Sequence, residues 1–367
     1  MERKRMSTAI GRMAVLLVLG GALALAQPAG TPPVAAPDAP DPAAVADEEM
    51  DDAPELTERT QAAIDRGLEF LVSVQNADGS WSREDQYAVA DTALALMAFM
   101  VKAHFPGEGP YGDELDKGLD FLLKESKASA DGYLGTSMYA HGLATLALSE
   151  VWGMSDGDRD DEILEALRRA VEVIRRSQNI LGGWRYDPNP KEADVSVTVT
   201  QVVALASARQ AGLVVPDVTI DKAIDYATTC WHQESGGFTY QPHRGSPAFP
   251  RSAGATYALQ LCGRRDSEQV KAGMRYLKEL PNRVFFEGNH FFYGHYYGIQ
   301  AMVQAGDSHY EAWYPRIRDA LLGKQAPDGY WSGGRGGRPQ STAMAVIVLG
   351  TPYRYIPIYQ RCGARRC

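Results

Sequence analysis

A chain of 367 residues, with 37 Lys and Arg against 46 Asp and Glu, a formal charge of −9 and four cysteines, already excludes several classes. The acidic balance argues against a nucleic-acid binder, which needs clustered Lys and Arg to neutralise phosphates. Four cysteines in this length cannot make a disulfide-framework miniprotein. With 45% hydrophobic and 9% aromatic residues, the composition is that of a globular chain able to bury a sizeable core.

The charge is unevenly spread. Arg3, Lys4, Arg5 and Arg12 precede an almost wholly apolar run from Met13 to Ala26, shorter than the roughly 20 residues a membrane-spanning helix needs. That run ends in Ala24-Leu25-Ala26, small residues where signal peptidase reads them, so residues 1–26 are read as a cleaved export signal. An uncleaved N-terminal anchor is the alternative. Cleavage would leave a periplasmic or secreted protein without a transmembrane helix. Residues 27–55 are rich in Pro and Ala and carry eight acidic residues and no basic one. Such a segment cannot offset its ordering entropy by burial and is expected to be a disordered spacer. From Leu56 onward 37 acidic residues face 33 basic ones, so the folded part is close to neutral and its partner need not be charged.

Beyond Leu56 one pattern recurs six times: an amphipathic helix, a glycine–aromatic turn, then a more apolar helix. Thr60–Val74 is the first such helix, with Ile64, Leu68 and Leu71 spaced to share one face. The turns, in chain order, are Gln75-Asn-Ala-Asp-Gly-Ser-Trp81, Asp131-Gly-Tyr133, Gln178-Asn-Ile-Leu-Gly-Gly-Trp184, Gln233-Glu-Ser-Gly-Gly-Phe238 and Gln325-Ala-Pro-Asp-Gly-Tyr-Trp331, with Glu287-Gly288 before Phe291, Phe292 and Tyr293 as a degenerate copy. Glycines 79, 132, 183, 237 and 329 are expected to supply left-handed backbone there. The second helices are expected at Tyr87–Met100, Ser137–Val151, Asp194–Arg209, Ala253–Cys262, His290–Ala305 and Ser341–Leu349. They are rich in Ala, Gly, Ser and Thr, as helices in close mutual contact should be. A six-fold repeat of helix pairs means stacked units, although periodicity alone does not choose between an open solenoid and a closed ring.

These Gln-…-Gly-Ser-Trp turns resemble the repeats of the prenyltransferase and squalene-cyclase superfamily, over nearly all of residues 56–361. Met138-Tyr-Ala-His-Gly-Leu-Ala-Thr145, Asp194-Val-Ser-Val-Thr198 with Gln201, and Gly333-Gly-Arg-Gly-Gly-Arg-Pro-Gln-Ser-Thr342 look like its exported bacterial single-barrel members. The resemblance implies an all-α fold, an α/α toroid or (α/α)6 barrel of six helix-pair repeats, with the second helices lining its interior. Cyclases of that superfamily protonate a polyene with an Asp-x-Asp-Asp-Thr motif whose middle Asp is the acid. Asp194-Val-Ser-Val-Thr198 places Ser196 at that position, and Ala88-Val-Ala-Asp91-Thr92 keeps only the final Asp. Neither serine nor alanine can protonate an alkene, so the standard cyclisation is not expected. The protein-prenyltransferase branch holds zinc with Asp-x-Cys, yet Thr228, Gln260, Gln360 and Arg365 stand two residues before the four cysteines. No metal and no cofactor are expected.

Polar stripes on the second helices nominate the site. Ser137, His141, Thr145 and Ser149 share one drifting face, as do Asp194, Thr198 and Gln201, and Tyr293, Tyr297, Gln300 and Gln304. Asp91, His141 and Asp194 are the candidate catalytic residues. Tyr139, Ser196, Thr198, Gln201, Tyr293, Tyr297, Gln300 and Arg338 are the candidate ligand-binding residues. A core histidine is the alternative for His141, and a helix N-cap is the alternative for Asp194. Three functions follow. The chain holds an apolar, isoprenoid-like small molecule or lipid in its lumen. Or it is a non-catalytic scaffold for a protein partner, with Tyr and Phe plugging the lumen. Or it acts on glycans, with Asp91 and Asp194 facing each other roughly 5–10 Å apart.

Overall fold

The computed structural model describes Leu56–Arg361 apart from Arg83 and Asp156. The expected export signal and acidic spacer, and Cys362 and Cys367, lie outside the described residues.

Thirteen α-helices and no strand form among these residues: α1 Glu58–Ser73, α2 Asp85–Met100, α3 Gly112–Ala128, α4 Met138–Val151, α5 Gly157–Arg176, α6 Val195–Gln210, α7 Asp217–Thr229, α8 Phe249–Leu261, α9 Glu268–Lys278, α10 Asn282–Glu287, α11 Phe291–Ala305, α12 Asp307–Lys324 and α13 Gly337–Leu349. Helices α2, α4, α6, α8, α11 and α13 pack each against the next, and α13 returns to α2. The ring is closed. Around it α3, α5, α7, α9 and α12 each lean on the inner helix before them, while α1 leans on α13. The first outer helix therefore completes the last repeat, and the architecture is an (α/α)6 toroid.

Composition explains the two rings. Outer helix α1 buries only Thr60, Ala63, Ile64, Gly67, Leu68 and Leu71, a stripe on one side. Inner helix α4 buries every residue but Tyr139. A helix buried all round has outer helices behind it and something solid in front of it. Each wholly buried Leu or Ile adds about 1.5–3 kcal/mol, and the inner ring holds dozens of buried apolar side chains. Two inner helices start earlier than their polarity pattern suggests, α8 at Phe249 and α13 at Gly337. Pro250 and Pro339 fall in the opening turns, where no amide donor is needed.

The recurring turns are stitches. In Trp81, Trp184 and Trp331 the indole N–H donates to the carbonyl ten residues earlier, at 2.8, 2.7 and 2.8 Å. Their backbone amides donate to Thr92, Thr198 and Thr342 on the following inner helix. Gln75, Gln178 and Gln325 donate to the turn carbonyls of Gly79, Gly182 and Gly329 and also reach the next outer helix, at Glu114, Thr219 and Ala63. In the two Gly-Gly turns it is the first glycine, Gly182 and Gly236, that takes positive φ, not Gly183 or Gly237. The degenerate copy has no such turn. There α10 intervenes, His290 adopts φ 57, and the aromatic run starts α11.

Candidate functional site

All six inner helices run the same way, so their N-terminal ends form one mouth and their C-terminal ends the other. At the N-terminal mouth, side chains from α2, α4, α6, α11 and α13 meet two loop tyrosines. Asp91 on α2 is fully buried, with Oδ1 accepting from the Gln340 amide at 3.1 Å. Its Oδ2 has no hydrogen-bond partner. Burial drives its carboxyl up to about 8, against weaker opposition from Gln340 and Ser82, so it holds a proton at neutral pH. Tyr139 on α4 neighbours Asp91, and its ring lies 6.3 Å from that of Tyr293.

Asp194 stands at the start of α6, beside Tyr240 and near Tyr293. Its Oδ1 accepts from the Val197 amide at 2.9 Å, which makes it the N-cap of α6. The second oxygen has no partner of good geometry, although the Tyr240 hydroxyl lies beside it. Burial raises this carboxyl too. Tyr240 in turn neighbours Tyr186, and Tyr293 neighbours both Ser196 and Asp194. The loops are pinned by backbone bonds from Met138 to Tyr186 and from Val195 to Tyr240, each 2.9 Å. A cup results, with two buried carboxyls in its wall and Tyr139, Tyr186, Tyr240 and Tyr293 around them. The Tyr293 hydroxyl is buried and unpartnered as well.

Below the cup the lumen is filled. Tyr293 packs edge-on against Tyr297 at 4.9 Å, Tyr297 against Tyr296 at 4.8 Å, and Tyr296 against Tyr359 at 6.0 Å. Tyr257, Tyr296 and Tyr297 are each 1% exposed. A largely apolar column of rings thus closes the centre of the toroid. The Tyr297 hydroxyl finds Thr200 at 3.4 Å. Gln300 is fully buried one turn further on, with neither amide atom partnered.

The structure brings Asp91, Tyr139, Asp194, Ser196, Tyr293 and Tyr297 together and sets four other candidates apart. His141 accepts from the Leu134 amide at Nδ1, 3.0 Å, and pairs through Nε2 with the Ala170 carbonyl, 3.0 Å. Both nitrogens serve the fold, and it stands where Thr92, Thr198 and Thr342 stand in their repeats. Thr198 receives the Trp184 amide. Gln201 donates to Met138 on α4 at 2.8 Å and joins two inner helices. Arg338 is exposed and lies over the Tyr330 ring, 4.2 Å from its centroid, outside the cup. Sequence reading missed Tyr186, Tyr240 and Gln340. The first two lie in loops without helical periodicity, and Gln340 lies in a segment expected to be a loop.

No family model matches the chain, and no curated protein matches it. Solved structures do. An inactive variant of the GH76A α-1,6-mannanase of Salegentibacter sp. HEL1_6, in complex with α-1,6-mannotriose, superposes with a TM-score of 0.62 at 8% identity, covering 81% of this chain and 99% of that one. The α-mannanase BT2949 of Bacteroides thetaiotaomicron gives 0.59 at 10% identity over 81% and 96%. A variant of the type II terpene cyclase MstE from Scytonema, in complex with merosterolic acid A, gives 0.55 at 16% identity over 81% and 98%. At these identities the likeness shows the (α/α)6 fold.

Proposed function

We propose that the N-terminal mouth of the toroid binds a neutral, hydroxyl-bearing ligand of the carbohydrate class. The observation that carries this reading is the pair of buried carboxyls, Asp91 and Asp194, each with one oxygen unpartnered at the same cup. A hydrocarbon pressed against them would leave those oxygens and the Tyr293 hydroxyl with only the poorly aligned neighbours Ser82, Tyr240 and Ser196, at a cost of up to about 1–3 kcal/mol each. A sugar offers hydroxyls to the carboxyls and an apolar ring face to the tyrosines. The aromatic column beneath the cup also leaves an isoprenoid tail no free depth to enter. Both a sugar-bound mannanase and a terpene cyclase share the fold, so the fold does not choose between them, and the polar wall of the cup is what supports the sugar. Export, expected from residues 1–26, would put the mouth within reach of glycans outside the cell.

Asp91 favours a second reading of the same site, in which its acid form donates a proton to a glycosidic oxygen. Isothermal titration of the full chain with α-1,6-mannotriose, other neutral oligosaccharides and geranylgeraniol tests the first reading. Mass spectrometry of the incubated oligosaccharides tests the second. Saturable binding of a sugar, weakened at least about tenfold in Tyr139→Ala, is the expected outcome. Binding of geranylgeraniol alone, or of no member of the panel, sinks the proposal.

A further inference from the structure

The opposite end of the ring holds a different feature, and it does not depend on the reading of the mouth. After α13 the chain turns through Thr351–Tyr353 and then runs back across the C-terminal ends of the inner helices. This segment belongs to no helix pair. The ring is already closed by the packing of α13 on α2 and α1. Yet Ile356, Ile358 and Tyr359 are only 2%, 0% and 3% exposed.

The segment is held by backbone recognition. Tyr257 on α8 donates its hydroxyl to the Ile358 carbonyl at 2.9 Å. Glu150 on α4 accepts from the Ile358 amide at 3.4 Å, and Ser207 on α6 donates to its other oxygen. Gln304 on α11 donates to the Gln360 carbonyl at 2.6 Å. Tyr359 is the buried anchor, its hydroxyl 2.7 Å from that of Tyr296. Side chains from α4, α8 and α11, with Ser207 of α6 behind Glu150, thus converge on one 3-10 turn, Pro357–Tyr359, fixing it through main-chain groups and one aromatic pocket. Peptide recognition can work in this way: main-chain hydrogen bonds supply affinity and side-chain pockets supply specificity.

We infer that the C-terminal end of the toroid is a recognition site for a short peptide whose Ile-Tyr pair is held in a 3-10 turn, which residues 356–360 occupy in cis. The site is built from the ring, and the occupant is tethered to it by an exposed turn at Arg354, whose φ is 57. Occupant and site are therefore separable. A peptide of the same chemistry can enter when the tethered one leaves.

Two measurements decide it. In the intact chain, hydrogen exchange read by mass spectrometry should show residues 356–360 opening well before α13. Tyr257→Phe should speed exchange of that segment about fivefold, the loss of one hydrogen bond, and leave α13 unchanged. In the second, a protease site is inserted after Arg354 and cut, and a labelled peptide with the sequence of Tyr355–Arg361 is added. Uptake that saturates at one per chain, and that Tyr359→Ala in the peptide abolishes, is the expected result. Exchange of the segment only together with α13 overturns the inference. So does uptake of a scrambled peptide as readily as the native one, or no uptake at all. Should the cut chain lose its fold, the exchange measurement on the intact chain decides alone.

Discussion

Gln325 donates its side-chain amide to the carbonyl of Ala63 at 2.8 Å, joining residues 262 positions apart. The same glutamine holds its own turn through Gly329, and Arg66 on α1 donates back to it. The bond is the counterpart of Gln75 to Glu114 and Gln178 to Thr219, except that those join neighbouring repeats. One local device therefore both builds the turns and closes the ring. Gln325→Ala removes three hydrogen bonds and is expected to cost about 1.5–4.5 kcal/mol in urea unfolding. Hydrogen exchange should rise in α1 and α13, the two sides of the closure, and not in α6. Equal acceleration throughout the ring would show that the bond acts only through global stability.

Glycine in these turns has a second reason besides its dihedral. A Cβ on Gly329, whose φ is +86, would lie 2.3 Å from the Arg66 carbonyl, and backbone cannot swing away as a side chain can. Gly329→Ala should therefore lower stability by more than the 1–2 kcal/mol that left-handed backbone alone costs an L-residue. Gly323, in α12, has nothing within 4 Å of the same added atom. Gly323→Ala should raise the melting temperature slightly, by up to about 1 kcal/mol of helix propensity. Similar melting shifts for the two variants would contradict the turn geometry.

His141 is held neutral. Burial pushes it down to about 4 from the ordinary 6.5, with both nitrogens spent on backbone groups. The unfolded chain binds this proton more tightly than the folded one, so its contribution is complete above pH 6.5 and is lost as pH falls toward 4. The swing is on the order of 3 kcal/mol. His141→Ala orphans the Leu134 amide and should destabilise the protein at pH 7. The gap to wild type should narrow as pH falls from 6.5 to 4 in denaturant titrations. A gap independent of pH would mean that the histidine is not buried neutral.

Much of the toroid is legible in the sequence because the stitches are local. Trp81 reaches the carbonyl ten residues back and Gln75 the carbonyl four residues on, so each repeat writes its own turn. Closure is less legible, since the bond from Gln325 to Ala63 uses the same letters as a bond between neighbours. The cup is half legible. Asp91, Tyr139, Asp194 and Tyr293 stand on helices whose spacing shows their shared face. Tyr186 and Tyr240 come from loops that only the closed ring brings together. His141 and Thr198 share those polar stripes for another reason: the inner helices must offer an acceptor to each turn, and that need looks in sequence like a polar lumen. The segment ending in Tyr359 carries no repeat signature at all, so nothing in it announces that it lies inside the ring.

Asp91 should make the protein less stable as pH rises. Its folded-state carboxyl is raised to about 8, while the unfolded chain releases the proton near 3.8. The folded state therefore binds more protons throughout that interval, and stability falls with increasing pH at roughly 1.4 kcal/mol per unit from this group. Below pH 6.5, His141 and His295 push the other way, and Glu150, raised to about 7, adds to the fall up to neutrality. Between pH 7 and pH 8 Asp91 stands largely by itself. Wild type should lose stability across that unit, and Asp91→Asn, which keeps an acceptor for Gln340, should flatten the slope. If the mouth takes a sugar at the free Oδ2, that ligand should also bind more weakly at pH 9 than at pH 6, since ionised Asp91 loses its donor. A flat wild-type profile from pH 7 to 8 would mean that Asp91 is ionised in the folded protein, and neither reading of the mouth could then use its proton.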